Sequence, residues 1–146
     1  MYIDDQRDNR VVFKATFRDA FNVLAVNGLE EALAYLESRE VHVVISDQRM
    51  PGLAGSEVLC RIKERFPRVR RMLITAYADL QALVDALNQA GVCHYIHKPW
   101  DTGDVLKAVN AAWQDYQEEE ERIAYAEKLL ESNRQLEFAL RQALLS

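Results

Sequence analysis

Five polar side chains follow, or end, short apolar runs of the chain. They are Asp4 and Asp5 after Tyr2-Ile3, Asp47 after Val43-Val44-Ile45-Ser46, Thr75 at the end of 72–75, and Lys98 after Tyr95-Ile96-His97. Such runs are typical of buried parallel strands, and the carboxyl ends of parallel strands lie at one edge of a sheet. Each side chain alone has an ordinary explanation, such as a turn, a cap or a solvated lysine. Together they are expected to meet in one crevice.

The residue types predict the chemistry of that crevice. Three carboxylates in a small site repel one another unless a cation lies among them, and a site with few oxygen ligands suits Mg²⁺. The hydroxyl of Thr75 and the ammonium of Lys98 would then bind the oxygens of an anion at the metal. Phosphate fits this arrangement, with one carboxylate placed for in-line attack on phosphorus. The residues therefore predict a Mg²⁺-dependent phosphoryl site with an aspartate nucleophile.

The elements that must position these residues alternate along the chain. Strands are predicted at 23–26, 41–45, 72–75 and 93–96, three of them rich in β-branched residues. Asn27 and Glu30 predict a capping box for the helical segment at 29–36. Gly55 opens another helix, Pro67 ends it, and Gly91 ends the helix after it. This alternation predicts right-handed βαβ units and a parallel sheet covered by helices on both faces.

The C-terminal part of the sequence has a different character. No Gly or Pro follows Gly103, and a helix over the remaining 43 residues would be about 65 Å long. Residues 115–146 contain 8 acids and 4 bases, whereas 1–114 contain 15 acids and 14 bases. We expect Val105 and Trp113 to pack on the sheet and the helix to project beyond it after Glu118–Glu121. The predicted organisation is a domain over 1–117 and a helical extension over 118–146.

The extension also has a coiled-coil pattern. Alternating a and d positions over nearly three heptads are filled by Ala126, Leu129, Asn133, Leu136, Leu140 and Ala143. Asn133 at an a position favours paired helices in one register. A solvated single helix is an alternative. Leu130 and Leu144 at e positions leave a third interpretation open, in which the helix joins a bundle or docks on another domain.

The same motifs resemble those of a known family. The runs Asp4-Asp5, Asp47-Gln48-Arg49-Met50-Pro51-Gly52, Thr75-Ala76 and Tyr95-Ile96-His97-Lys98-Pro99 resemble the signature set of the receiver domain of bacterial two-component response regulators. The resemblance covers about residues 1–117. It implies an α/β, flavodoxin-like (CheY-like) doubly wound sheet of five parallel strands in the order 2-1-3-4-5.

The resemblance assigns a role to each residue of the crevice. Asp47 matches the phosphoacceptor, which receives its phosphoryl group from a sensor histidine kinase or a phosphotransfer protein. Asp5 matches a direct Mg²⁺ ligand and Asp4 a ligand acting through water, with Asp47 and the backbone carbonyl of Arg49 completing the protein ligands. Lys98 matches the lysine that pairs with phosphate, and a cis Lys98-Pro99 bond is expected.

Further roles concern switching and the lifetime of the phosphorylated state. Thr75 matches the switch hydroxyl, and Tyr95 the ring that turns inward when Thr75 moves toward phosphate. Arg49 and Tyr77 resemble positions that tune dephosphorylation by controlling access of water. The implied protein is a signalling switch that catalyses only its own phosphorylation and dephosphorylation. The Asp-Gln-Arg-Met-Pro and Lys-Pro-Trp variants are most similar to receivers of hydrogenase-type regulators, HD-type phosphodiesterases and hybrid kinases.

The composition limits the binding partners and the cellular location that we expect for the protein. The net charge of -5 argues against direct nucleic-acid binding, and no apolar run is long enough to cross a bilayer. The acidic start differs from a signal peptide, so a cytoplasmic location is expected. Cys60 and Cys93 lack partners at zinc spacing. A basic cluster, defined as Arg61, Lys63, Arg65, Arg68, Arg70 and Arg71, is interpreted as a solvated face or as a contact for an acidic partner.

Three functional hypotheses follow from the sequence. The protein is a phosphorylation switch whose C-terminal helix forms a homodimer or passes the signal to an output domain, or it is a stand-alone adaptor. The third is a structural coiled-coil protein with a phosphorylation-independent receiver fold. A haloacid-dehalogenase-type phosphatase is disfavoured because Arg49 stands where its second acid would be. Two departures from the family are a short first strand and Gln6 in the usual place of Glu.

Overall fold

The computed structural model describes residues 1–76 and 80–146. In the fourth helix and the turn after it, the side chains of residues 80, 82 and 86 are outside this description. Its elements, in chain order, are β1 (Tyr2–Ile3), α1 (Arg7–Phe17), β2 (Ala25–Val26), α2 (Leu29–Ser38), β3 (Val43–Asp47), α3 (Gly55–Arg65), β4 (Arg70–Thr75), α4 (Leu80–Asp85) with a π-helical turn at Ala86–Ala90, β5 (His94–His97) and α5 (Thr102–Leu145). The strands form one parallel sheet in the order β2-β1-β3-β4-β5. The predicted fold class and strand order are confirmed.

The core lies on both faces of this sheet because successive strand residues point in opposite directions. On one face, Val44 of β3 packs with residues of α2 and α3, including Leu59 and Ile62. On the other face, Ile45 packs with Phe13 of α1 and with residues of α5. Both faces of β3 are therefore buried, which explains its continuous apolar run.

The first strand is short and central. Tyr2 pairs with Ala25 of β2 on one side and with Ile45 of β3 on the other. Backbone bonds continue past both ends of the strand: Ile45 N–H donates to the Met1 carbonyl at 2.9 Å, and Asp4 N–H donates to the Val26 carbonyl at 3.1 Å. These bonds fix the backbone that leads into the acidic pair.

Two details of the helices differ from the sequence expectation. The helix α2 begins at Leu29 with Gly28 at the N-cap and no side-chain cap, so the predicted capping box is wrong. Glu31 lies near the Asn27 N–H instead, at 3.4 Å. The helix before Gly91 ends in a π-helical turn rather than a regular α-helical turn.

The basic cluster is not uniformly solvated. Arg71 is buried, and its guanidinium donates to the carbonyls of Val69 and Ala90 at 2.7 Å each. A longer bond reaches the Pro67 carbonyl at 3.2 Å. The interpretation of the cluster as a solvated face is therefore wrong for Arg71, which links β4 to the turn that follows α4.

The chain divides into two units, Met1–Tyr116 and Gln117–Ser146, and α5 contributes to both. Within the second unit most of the large apolar side chains are exposed, among them Leu129, Leu136 and Leu140. Among the described residues, no helix combines the length and apolar character that a membrane span requires.

Candidate functional site

Three carboxylates converge at the carboxyl ends of β1 and β3. Ile3 pairs with Ser46 in the parallel register, so the residues that follow each of them, Asp4 and Asp47, are neighbours. One carboxylate oxygen each of Asp4, Asp5 and Asp47 lies within 4.8 Å of the others. Asp4 and Asp47 are buried. Close carboxylates in a buried place favour a bound cation, because their mutual repulsion is otherwise uncompensated.

Asp4 is held by donors from its own segment of chain. Its Oδ2 accepts a hydrogen bond from the Tyr2 hydroxyl at 2.7 Å and one from Asn9 Nδ2 at 3.1 Å. Its Oδ1 accepts from the Gln6 backbone N–H at 2.9 Å, which turns the chain into α1. Burial and the bond to Asp4 raise the pKa of Tyr2, so the phenol remains a donor. These bonds fix the orientation of the Asp4 carboxylate.

Asp5, unlike Asp4, has a carboxylate oxygen without a hydrogen-bond donor in the described part of the chain. Its Oδ1 is buried and has no hydrogen-bond partner among the described residues. A buried carboxylate oxygen without a partner is costly unless it binds a cation or water. The donor set of Asp5, Asp47 and Asp4 consists of hard oxygen ligands, which is the chemistry that Mg²⁺ prefers. The residues therefore fit a magnesium ion.

Asp47 and Lys98 form an ion pair in which Lys98 Nζ lies 2.6 Å from Asp47 Oδ1. Burial raises the pKa of the Asp47 carboxyl, and the charge of Asp4 acts in the same direction. The bond from Lys98 opposes this shift. A carboxylate and a cation able to bind an incoming anion thus stand side by side at the edge of the sheet.

Lys98 is placed by the loop between β5 and α5. Its backbone N–H donates to the Thr75 carbonyl at 3.0 Å, and the Lys98-Pro99 peptide bond is cis, as expected. Trp100 packs against the rings of Phe13 and Phe17, with centroids 5.9 and 5.4 Å away. The aromatic contacts attach this loop to α1, next to the acidic pair.

The two expected switch residues lie on neighbouring strands. Thr75 is buried at the end of β4, and its hydroxyl donates to the Ala76 carbonyl at 3.2 Å. Tyr95 lies on β5 two register positions before His97, the partner of Thr75 in the sheet. The side chain of Tyr95 is exposed, and its ring meets the ring of His97 edge-on at 4.9 Å. The ring is therefore outside the core in this structure.

Arg49 is exposed. An open cleft of about 470 Å³ beside the carboxylates is lined by Asp5, Gln6, Gln48, Arg49, Met50, Pro51 and Ala54. Arg49 is thus placed where water would approach the site. Tyr77, the other residue expected to tune dephosphorylation, lies outside the described residues.

Two residues that support Asp47 were missed by sequence reasoning. A Cβ added at Gly55 would lie 2.0 Å from the Asp47 carbonyl oxygen, so only glycine allows α3 to start this close to β3. Gln48 is buried, and its side-chain Oε1 accepts from the Ser56 N–H at 2.8 Å. A glycine at the first position of a helix is a signal for such a close approach, whereas the role of Gln48 has no sequence signal.

Comparisons with known proteins identify a family and several relatives of similar sequence. A family model described as the response regulator receiver domain matches residues 1–110. The hydrogenase transcriptional regulatory protein HoxA of Cupriavidus necator is 36% identical over 112 residues, 77% of this chain and 23% of that protein. The DNA-binding transcriptional regulator NtrC of Salmonella typhimurium is 40% identical over 91 residues, 62% of this chain and 19% of that protein. The chain therefore spans about a fifth of the length of these curated relatives.

The solved structures include a receiver domain of similar shape. The signal receiver domain of an HD domain-containing protein from Pseudomonas fluorescens superposes with a TM-score of 0.78 at 30% sequence identity. The match covers 83% of this chain and 90% of that structure.

Proposed function

The chain belongs to the response regulator receiver family, and we propose that it is a phosphorylation switch in which Asp47 accepts a phosphoryl group from a histidine kinase or a phosphotransfer protein. One observation carries the proposal. The Asp47 carboxylate stands 2.6 Å from Lys98 and beside two further carboxylates, at the edge where the carboxyl ends of the strands meet.

The transfer is a displacement at phosphorus. An Asp47 oxygen forms a bond to phosphorus while the bond between phosphorus and the donor's histidine nitrogen breaks, and that nitrogen keeps the electron pair. Lys98 gives up part of its contact with Asp47 and binds a phosphoryl oxygen. The Thr75 hydroxyl donates to another oxygen. The chain therefore supplies the nucleophile and two groups that stabilise the transferred charge.

Asp5 and Asp47, with the backbone carbonyl of Arg49, would hold Mg²⁺ directly, and Asp4 would bind it through water. When bound, the ion neutralises carboxylate and phosphoryl charge. The unpartnered Oδ1 of Asp5 supports its assignment as a direct ligand. The three donors to Asp4 support the indirect one, because they occupy most of its acceptor capacity.

Phosphorylation shifts the population between two conformations rather than creating a new fold. In the proposed active state, Thr75 is drawn to the phosphoryl group and the Tyr95 ring turns inward. We assign the exposed position of the Tyr95 ring to the proposed unphosphorylated state. The surface of α4, β5 and α5 reports the change.

The C-terminal helix is the proposed transmitter. The receiver occupies 1–117, and the extension over 118–146 pairs with a second copy or contacts an output domain or partner protein. Its exposed apolar residues Leu129, Leu136 and Leu140 support this role, since an apolar stripe is stabilised by burial against another helix. We propose that this chain acts in the cytoplasm and does not itself contact nucleic acid or a membrane.

The test combines intact mass with light scattering. The full chain is incubated with Mg²⁺ and acetyl phosphate or beryllofluoride, beside Asp47→Ala. The proposal predicts an adduct only when Asp47 is present, and a change of assembly if the helix responds to the switch. An adduct that persists in Asp47→Ala would contradict the assignment of the phosphoacceptor. An unmodified parent would favour a phosphorylation-independent structural role.

A further inference from the structure

A tyrosine in the first strand contacts the acidic cluster from inside the core. The Tyr2 side chain is 2% exposed, and its ring stacks on Phe13 with centroids 4.0 Å apart and planes 6° apart. Its hydroxyl donates to Asp4 Oδ2 at 2.7 Å. A buried phenol needs a hydrogen-bond partner, and here that partner is a carboxylate of the metal site. Tyr2 therefore links the aromatic core to the site chemistry.

The acceptor capacity of Asp4 shows what this bond does. A carboxylate offers about four lone-pair positions. Tyr2 and Asn9 occupy the two of Oδ2, and the Gln6 N–H occupies one of Oδ1. About one position remains for a cation or its water. The hydroxyl of Tyr2 thus competes with the ion for Asp4.

The charge of Asp4 is stabilised largely by neutral donors. Lys98 is directed to Asp47, and the Arg10 guanidinium donates to the backbone carbonyl of Asp4 at 2.8 Å. A hydrogen bond to a charged group is stronger than one between neutral groups, and it weakens when a nearby cation neutralises that charge. The Tyr2 hydroxyl therefore stabilises the metal-free site more than the metal-bound site.

We propose that Tyr2 is a positioning residue that stabilises Asp4 in the metal-free protein and thereby lowers the affinity of the site for Mg²⁺. This inference rests on the proposed function, because it requires that the acidic cluster binds Mg²⁺. The structural consequence is that the acidic site stays folded when Mg²⁺ is absent. The binding consequence is that removal of the hydroxyl strengthens Mg²⁺ binding while it weakens the metal-free fold.

The test is Tyr2→Phe, which keeps the stacked ring and removes only the hydroxyl. Titration calorimetry with Mg²⁺ alone should give a dissociation constant about three- to tenfold lower than that of the parent. Thermal unfolding in EDTA should show a lower midpoint. A purely structural role would weaken both the fold and the binding, so the opposite signs identify the proposed role.

Phe13→Leu is the matched control, because it disturbs the stacking and leaves every donor to Asp4 in place. It should lower the unfolding midpoint in EDTA without strengthening Mg²⁺ binding. Asn9→Ala removes the second donor to Oδ2 and should strengthen Mg²⁺ binding in the same direction as Tyr2→Phe. It decides the question if Tyr2→Phe does not fold.

The outcomes separate this inference from the proposed function. The role of Tyr2 alone would be overturned if the parent binds Mg²⁺, Asp5→Asn binds it more weakly, and Tyr2→Phe binds it no more tightly than the parent. A parent that does not bind Mg²⁺ would overturn the metal site and the role of Tyr2 with it. Unchanged affinity in Asn9→Ala would also contradict the inference.

Discussion

Gly55→Ala should damage both the fold and the site. The added Cβ would lie 2.0 Å from the Asp47 carbonyl oxygen and 2.8 Å from its carbonyl carbon, and both atoms are backbone, so no side-chain rotation relieves the clash. Since real Cβ contacts essentially never fall below 3.0 Å, α3 and β3 must separate by about 1 Å. Overpacking of this kind costs about 3 kcal/mol, the upper part of the usual range.

The assay is thermal and urea unfolding, followed by titration with Mg²⁺. A loss of about 3 kcal/mol corresponds to an unfolding midpoint roughly 10 °C lower for a domain of this size. Mg²⁺ binding should weaken as well, because the displaced backbone carries Asp47. Gly28→Ala is the control: a Cβ there meets nothing within 4 Å, and it should cost less than about 1 kcal/mol. Equal stability of the two variants would refute the packing argument.

Three further predictions concern the buried charges of Asp47 and Arg71 and the lifetime of phosphorylated Asp47. Burial raises the pKa of Asp47 above its ordinary value of 3.8, so ionisation of this carboxyl opposes folding as pH rises. In urea unfolding with EDTA, Asp47→Asn should therefore be more stable than the parent at pH 7, and the difference should vanish below about pH 4. A difference in stability that does not depend on pH would contradict this prediction. Arg71→Met should lose about 2–4 kcal/mol in urea unfolding because buried carbonyls lose their donor, whereas exposed Arg61→Met should change little; equal losses would refute the buried role. Arg49→Ala and Tyr77→Ala should shorten the lifetime of phosphorylated Asp47 in a decay assay, and unchanged lifetimes would argue against water exclusion by these side chains.

The sequence predicted the elements that carry strong local signals. Apolar runs identify β3 and β4, because both faces of a central parallel strand are buried. The end of α3 before Pro67 and the long helix after Gly103 follow from backbone chemistry. The convergence of Asp4, Asp5 and Asp47 was predictable from topology alone, since parallel strands bring their carboxyl ends to one edge.

What the sequence did not predict depends on contacts between distant segments. The start of α2 at Leu29 depends on the path of the chain leaving β2, which the Asn27-Glu30 pattern does not encode. Arg71 was interpreted together with its basic neighbours in the sequence, but its guanidinium bonds local carbonyls and, across the fold, the carbonyl of Ala90. The bond from Tyr2 to Asp4 requires both residues to face α1, and this is visible only in three dimensions.

In the proposed function, Asp47 carries the phosphoryl group. The most direct measurement treats the full chain with acetyl phosphate and Mg²⁺, reduces the product with borohydride, and maps the peptides by mass spectrometry. Reduction converts an aspartyl phosphate to homoserine. We predict homoserine at position 47 and an unchanged aspartate at positions 4 and 5. Homoserine at another position, or none after successful modification of a control receiver under the same conditions, would contradict the assignment of Asp47 as the phosphoacceptor.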